Sequence, residues 1–536
     1  METVKHTDVL IVGAGPSGLM MAAQLLRHGI QPMIIDAKSG PDREPKAMLV
    51  HARSLELFRQ LGMADLLLAQ GKSYYAIQLL ERGTPMGLLD FSTLVVADTA
   101  FPFIQRVGQD GIARLLLSRL TENVCPVAWE TCLESLRQDD AAATVTLVHK
   151  GRREHWRCRW VIGADGRQST VRRLLNIPVE GSGPAQTFFV ADVEIKQAEN
   201  RKIRLFSCES EPLAVIPLGL TDRYRIIGPL PGAYNTTPDQ PIRYADIRPR
   251  VEAALGAEMS VTRCLWLGRF GYRKQFAEQV HRQRCFLVGD AAHGVFPVLG
   301  RGMNEGLYDA ANLAWKLAGV VNGRMAARIL HTYQQERMPG ARMDNGVFEL
   351  LENSPAWLNW LRRARLVKRI NRIGSNPGRL KHAFDRLAGL STDYRQSPLS
   401  VHHASGGQIR AGDRLPYLPV FDEKTKTQTD LHRWCEKPGF VLLVLGTISH
   451  HHLNIIGQWM RQKYPREMHL YYLPYSFQNQ PVFDAFEVRS TGTKIVLVRP
   501  DMYIGYINDM LNVSLIDTYM EEIFGWAFFG HLPEKR

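Results

Sequence analysis

The chain opens on a regular order of apolar and polar positions. Val9-Leu10-Ile11-Val12 is an unbroken apolar run, Leu19 to Leu26 places apolar residues at helical spacing, and a second run, Ile34-Ile35, ends on Asp36. A short unbroken run bounded by turn residues reads as a buried strand, and spacings of three and four read as a helix. The pattern therefore predicts strand, turn, helix, strand. The turn is Gly13-Ala14-Gly15-Pro16-Ser17-Gly18, a G-x-G-x-x-G. In that setting Gly13 permits the tight turn, Gly15 lets the backbone approach a pyrophosphate, and Gly18 allows close helix-to-strand packing; the helix N-terminus offers free N–H groups to phosphate. Asp36 is placed to accept a ribose hydroxyl. Glycines also mark plain turns, but the flanking strands and the acid favour a dinucleotide, with NAD and FAD both open.

Periodicity continues through Lys46 to Phe58 and predicts a second helix that stops at Leu61-Gly62. Residues 74–105 read as short strands with a hairpin at Arg82-Gly83, followed by a helix led by Gln109 and a strand pair near 127–148. Trp160 to Gly163 is a buried strand that delivers Asp165-Gly166 to a turn, with Ser169 as N-cap of a short helix. Residues 185–230 and 260–272 are strand-rich and carry many Arg and aromatic residues, which suits a sheet covering a substrate. Cys285-Phe286-Leu287-Val288-Gly289-Asp290-Ala291-Ala292-His293 and a loop through Pro297, Gly300, Arg301, Gly302, Met303 and Asn304 then feed a long helix. Its N-terminus is suited to stabilise negative charge. Residues 351–404 are Arg-rich, with Leu366, Val367, Ile370 and Ile373 at helical spacing; packing on the protein itself is expected there, in preference to peripheral membrane contact. Strands alternating with helices after residue 405 predict a small α/β unit. His450, His451 and His452 are consecutive, so on a helix they cannot converge on one metal ion, and no metal is expected.

Composition narrows the class. With 536 residues the chain should form two or three domains, and 45% hydrophobic with 22% charged residues is ordinary for a globular protein. No apolar run approaches the ~18 residues of a membrane span. The opening directly on the strand pattern leads to the expectation of no signal peptide. The seven cysteines are scattered without a C-x-x-C and read as reduced cytoplasmic thiols. A net charge of +13 invites nucleic acid, yet much of the excess falls near 362–386 without an aromatic–basic module, so an anionic cofactor and acidic small molecules are the expected partners, and nucleic acid is not.

The three motifs, G-x-G-x-x-G, Asp165-Gly166 and Gly289-Asp290-Ala291-Ala292-His293, stand in the order and at about the separations of the class A flavoprotein monooxygenases of the aromatic hydroxylase type, which this chain resembles over residues 6 to about 345. The resemblance implies FAD. Its ADP half would be held by Gly13, Gly15, Pro16, Ser17, Gly18, Asp36 and Ala37, with Lys46, Arg53 and Gln109 as further contacts. Asp165 would lie near the pyrophosphate, Gly289 and Asp290 at the ribityl chain, and Pro297, Gly300, Gly302, Met303 and Asn304 in the loop where the isoalloxazine rests. The chain departs from the family pattern at Lys46, where arginine is usual, at Ala113, where glutamate is usual, and at Leu299 and Arg301, which replace a glycine-type and a glutamine-type position. Arg301 either approaches the flavin ring as a tuning cation or pairs with Glu305 one helical turn on.

The fold so implied is α/β: a Rossmann-like FAD domain (1–180 and 272–350), an inserted substrate sheet (181–271), a basic helical connector (351–404) and a C-terminal thioredoxin-like unit (405–536) without C-x-x-C. Gly412-Asp413-Arg414-Leu415-Pro416 and Arg499-Pro500-Asp501 carry that last resemblance. The implied activity is NAD(P)H-consuming insertion of one oxygen atom from O2 into an aromatic, phenolic or polyketide-like substrate through a flavin C4a-hydroperoxide. Another oxidative flavoenzyme on the same fold, such as a Baeyer–Villiger-type or tailoring oxidase, and a non-catalytic flavoprotein are the rival readings. A catalytic base is not identified, since His293 reads as structural, and a homodimer stays open.

Overall fold

A computed structural model of the chain describes residues 4–42, 48–81, 83–94, 98–181, 186–196, 201–206, 213–219, 222–230, 242–256, 259–295, 299–342, 360–423 and 425–527. Strand β1 (Lys5–Val12) lies inside the first sheet, and its unbroken apolar run has the reason expected of a strand covered on both faces: Val9, Leu10 and Ile11 are fully buried. On one side β1 runs parallel to Arg152–Gly163, with Val9 opposite Trp160 and Val12 opposite Gly163. On the other it runs parallel to β2 (Met33–Ile35), with Leu10 opposite Met33. Val127–Ala128 continues the parallel set beyond β2, and Cys285–Leu287 continues it beyond Arg152–Gly163. Helix α1 (Pro16–Arg27) follows the glycine turn and packs on the helices Gln109–Glu122 and Arg301–Val321. All three sequence motifs thus emerge at the carboxyl ends of neighbouring parallel strands, where open α/β sheets bind ligands.

The expected second helix is shorter than its periodicity suggests. Leu49–Val50 is a strand antiparallel to Ile104–Arg106, and the helix runs only over Ala52–Gln60. Tertiary pairing takes these apolar residues into a sheet despite helical spacing.

The second sheet has seven strands, in the order Ser260–Tyr272, Gln186–Lys196, Arg223–Pro229, Leu213–Pro217, Ile203–Phe206, Ala76–Glu81 and Thr84–Asp90. The hairpin 76–90 joins it through parallel pairing of Ile203 with Ile77, so the sheet draws strands from outside 181–271. Its two faces alternate with period two. Phe189, Ala191, Val193, Tyr224 and Ile226 pack under the helix Tyr244–Leu255, whereas Phe188, Val190, Ala214, Ile216 and Ile227 join the core that contains β1 and α1. The basic helix Trp360–Gly374 lays Leu366 and Ile370 on the strand Thr84–Asp90, so its apolar stripe is spent on the protein itself.

The last unit has a five-stranded sheet in the order Val401–His402, Ile504–Asn508, Thr493–Val498, Phe440–Gly446 and Met468–Pro474. Phe440–Gly446 is parallel to Met468–Pro474 and antiparallel to Thr493–Val498. Buried charge joins this unit to the first. Arg499 donates to both carboxylate oxygens of Glu336, at 2.6 and 2.9 Å, and Glu336 also accepts from Lys316, Asn312 and Ser397. Glu56 similarly accepts from Arg53, Arg414 and Thr99. Among the described residues no helix is long and apolar enough to cross a membrane.

Candidate functional site

The glycine turn is a cradle with one open side. Gly13 has φ +107°, and a Cβ there would strike the carbonyl of Ala164; at Gly18 it would strike the carbonyl of Gly13. At Gly15 nothing lies within 4 Å of the same position. The packed glycines bring the strand motifs together, and the open one leaves room for a ligand against the start of α1. Gly15 is the N-cap of α1 without a side-chain cap bond, so the first N–H groups of the helix stay available to an anion. Pro16 occupies the first turn, where it has no N–H to lose. Ser17 turns inward: its hydroxyl fills the space that side chains at Gly289 or Gly306 would need.

At the end of β2, Asp36 is braced by the loop it faces. One carboxylate oxygen accepts the Ala14 N–H at 2.7 Å and the other the Lys38 N–H at 2.9 Å. Each oxygen keeps a lone pair for a ribose hydroxyl. Ala37 beside it is exposed. Asp165 is used differently, accepting from Ser169 Oγ at 2.5 Å and the Val171 N–H at 3.0 Å, which fixes the turn and the short helix after it. Burial raises its carboxyl pKa, and these hydrogen bonds oppose the rise.

The Gly289-Asp290 turn is held from below. Gly289 adopts φ +60°, a left-handed conformation that favours glycine. Its N–H donates to Asp309 Oδ2 at 3.0 Å, which also receives His293 Nε2 at 2.6 Å, while Asp309 Oδ1 receives Arg337 Nε at 2.8 Å. Burial alone would raise the Asp309 carboxyl; the His293 and Arg337 charges reverse this and hold it at about 2. Burial disfavours the imidazolium of His293, but the Asp309 carboxylate outweighs that and raises its pKa. Asp290 itself is exposed to solvent, yet enough protein surrounds it that desolvation raises its carboxyl pKa. An exposed acid on a turn anchored this firmly is free to meet a polyhydroxy chain.

The next loop starts the long helix. Gly300 is left-handed, and a Cβ there would come within 2.9 Å of the Leu49 carbonyl oxygen. Gly302 lies next to Asp290, and Met303 is half-buried against the core. Asn304 is wholly buried and spends every hydrogen-bonding group: its oxygen accepts from the His51 N–H and Ser54 Oγ, and its nitrogen donates to the Leu49 and Gly300 carbonyls. Its side chain organises the loop and has nothing left for a ligand. His51 donates from Nε2 to the Leu299 carbonyl at 2.8 Å, and burial pushes its pKa down to about 4, so it is neutral at pH 7.

Two sequence expectations are corrected by this geometry. Arg53 is not at the cradle: its guanidinium pairs with Glu56 at 2.9 Å and donates to the Asp501 carbonyl at 2.6 Å, tying two units together. Arg301 takes the Glu305 alternative at 3.2 Å and also donates to the carbonyls of Gly340 and Ala341. A cation so committed has no reason to approach a flavin. Gln109 is half-buried at the start of its helix. Lys46 and Pro297 lie outside the described residues. Asp309 and Arg337 were missed because both sit inside apolar-periodic helices, where a buried charge leaves no local signal; only helical spacing, with Asp309 on the face of Glu305, hinted at a shared role. Among the described residues no group of three acids, histidines or cysteines is arranged to hold a metal ion.

Comparison with known proteins agrees with this geometry. Residues 6–343 match the family described as FAD binding domain. The chain is 30% identical over 413 residues to 6-methylpretetramide 4-monooxygenase of Streptomyces rimosus, covering 74% of this chain and 72% of that protein. It is 32% identical over 420 residues to pentachlorophenol 4-monooxygenase of Sphingobium chlorophenolicum, covering 76% and 75%. Its fold is similar to that of the anhydrotetracycline hydroxylase from Streptomyces rimosus, with a TM-score of 0.76, 25% identity, and coverage of 97% and 99%. The open cradle at Gly15, the braced Asp36 and the presented Asp290 fit an FAD molecule, and the chain belongs to the FAD binding domain family as an FAD-dependent monooxygenase.

Proposed function

We propose that the protein consumes NAD(P)H and inserts one oxygen atom from O2 into an aromatic, phenolic or polyketide-like substrate held between the seven-stranded sheet and the flavin cradle. The observation that carries this reading is the meeting of an open dinucleotide cradle with an aromatic sheet face: Arg167, two residues after Asp165, donates to the carbonyl of Gly271, at the end of the strand that carries Phe270. Phe270 stacks on Phe188 with ring centroids 5.6 Å apart. Bound FAD would supply electron transfer to dioxygen and oxygen transfer to carbon. The protein's part is placement and dryness. The N–H groups of α1 neutralise the pyrophosphate, Asp36 and Asp290 orient the two sugar-like ends, and the anchored turn Gly289-Asp290 fixes the depth of the cofactor. The apolar sheet face excludes water from the reacting ring.

The relatives' names support the substrate class, since one acts on a polycyclic and one on a phenol. The C-terminal unit is inferred to be thioredoxin-like and redox-silent: its parallel pair flanked by antiparallel strands supports the first, and Cys435, buried with its thiol pushed up to about 12, supports the second. The domain division given above and a cytoplasmic setting complete the reading. The decisive experiment is turnover under isotope-labelled dioxygen: one labelled atom in an aromatic product is expected, and unlabelled product with NAD(P)H consumed would refute it.

A further inference from the structure

The sheet face turned to the flavin-binding unit is apolar except at one place. Asp192 stands opposite Arg225 on one neighbouring strand and opposite Trp266 on the other. Arg225 Nε donates to Asp192 Oδ1 at 2.7 Å and Nη2 to Oδ2 at 2.8 Å, a two-pronged pair, and the guanidinium lies 5.7 Å from the Trp266 ring. Same-face neighbours are Val190, Ile227 and Ile216. A buried ion pair on such a face costs desolvation that well-packed apolar residues would avoid, so its presence calls for a role in specificity. The exposure is lopsided. Arg225 is 1% exposed and Asp192 16%, so the carboxylate is the accessible partner, with a second lone pair on each oxygen.

Register gives the face a direction. Phe188 and Phe270 lie at the end that touches Arg167 and the Asp165 turn. Asp192 is four residues further along the strand, about 13 Å at extended-strand rise. Two residues beyond it, Glu194 and Arg223 form a loose, solvated pair at 3.9 Å, which marks the open end. The face therefore runs from a stacked aromatic pair at the flavin unit, through apolar residues, to one hydrogen-bond-accepting carboxylate before solvent.

We propose that the Asp192–Arg225 pair is the far-end specificity clamp of the substrate site, where the carboxylate accepts hydrogen bonds from hydroxyl or amide N–H groups of an extended fused-ring aromatic whose other end lies at the flavin. This rests on the monooxygenase reading. A single-ring phenol at the flavin end cannot span the distance, so the clamp discriminates by length and by the distal donor. Arg225 holds the carboxylate ionised and aimed, and Trp266 closes one side.

The test uses the full-length FAD-loaded protein without reductant and reads perturbation of the flavin absorbance as ligand is titrated. Anhydrotetracycline is the long probe and pentachlorophenol the short one. Asp192→Asn is expected to weaken the long probe about tenfold or more, the loss of a hydrogen bond to a charged group, and to leave the short one within twofold. Because Asp192→Asn leaves Arg225 without its countercharge, Asp192→Leu/Arg225→Leu is measured beside it. That pair removes both charges, keeps the melting temperature, and should show the same selective loss. Equal weakening of both probes, no weakening of either, or failure of the wild type to bind the long probe would overturn the clamp. Failure of the monooxygenase reading is separate: no labelled oxygen enters any product, whatever the binding pattern.

Discussion

Arg499→Met is the sharpest test of how the last unit is held to the flavin-binding one. The side chain is 1% exposed and makes four charged hydrogen bonds, two to Glu336 and two to Asp501. Methionine keeps much of the apolar stem while removing the charge. Arg499 and Lys316 balance Glu336 and Asp501 in the wild type, so the variant buries one net negative charge. Breaking one side of such a pair costs about 3–5 kcal/mol. For a cooperative unit of ordinary domain size that lowers the melting temperature by on the order of 10 °C. The pH dependence fixes the cause. Burial alone would raise the Glu336 carboxyl, but Arg499 and Lys316 hold it below its ordinary value, so the wild-type pair contributes stability above the unfolded carboxylate pKa and loses it as pH falls. The difference between wild type and variant should therefore be full at pH 7 and narrow below about pH 5, as Glu336 in the variant takes up a proton. Adding Glu336→Gln to Arg499→Met should recover at least half of the loss. Melting curves over pH 4–8 for the four proteins measure all of this. A single-variant loss under about 1 kcal/mol, or a double variant less stable than the single, would refute the reasoning.

Asp290→Ala should strip most of the flavin from the purified protein while leaving far-ultraviolet circular dichroism unchanged; full flavin content would contradict the role given to its turn. Asp309→Asn should weaken flavin retention by about tenfold or more, because a buried donor is lost as acceptor to Gly289 and Arg337 is left short of charge, and equilibrium dialysis reads it. In the wild type, the shift of Asp309 from its ordinary range to about 2 is worth roughly 2 kcal/mol, lost as pH falls from 4 towards 2, whereas the raised His293 adds stability that is lost as pH rises through its folded value. Retention should accordingly be best between those limits, and a flat profile in the wild type would count against the pair. Arg301→Gln should leave the flavin midpoint potential within about 10 mV and act on melting instead; a lowered potential would place its cation near the ring. Cys435→Ala should keep turnover, measured as NAD(P)H oxidation.

Much of this was legible in the sequence because it is local. The glycine turn, the apolar runs before it and after it, Ser169 as a cap and the stripe at Leu366 and Ile370 each state their structure within a few residues. What stayed hidden is what depends on partners far along the chain. Leu49 and Val50 read as helix until Gln105 and Arg106 pair with them. Arg53 lies in a helix beside the cradle, and nothing nearby shows that Asp501, 448 residues on, takes its guanidinium. Asp309 and Glu336 sit at helical positions that otherwise bury hydrocarbon, so periodicity alone treats them as interruptions. The two alternatives for Arg301 were a choice of rotamer, which only the carbonyls of Gly340 and Ala341 decide.

The placing of β1 bears on how the molecule is made. It is the first strand to leave the ribosome, and it ends up inside its sheet, with Trp156 to Gly163 along one edge. At usual synthesis rates roughly 10–30 s pass before that neighbour exists, during which the apolar edge of Val9 to Val12 has no native partner on that side. Cradle closure comes later still. The Ser17 hydroxyl rests against Gly289 and Gly306, so the floor of the site is missing until more than half of the chain has been translated. Pairings this distant in sequence also fold slowly. Flavin capture is thus confined to a late stage of biogenesis, and truncation anywhere before residue 306 yields a nascent chain with the glycine fingerprint intact and no cofactor site around it.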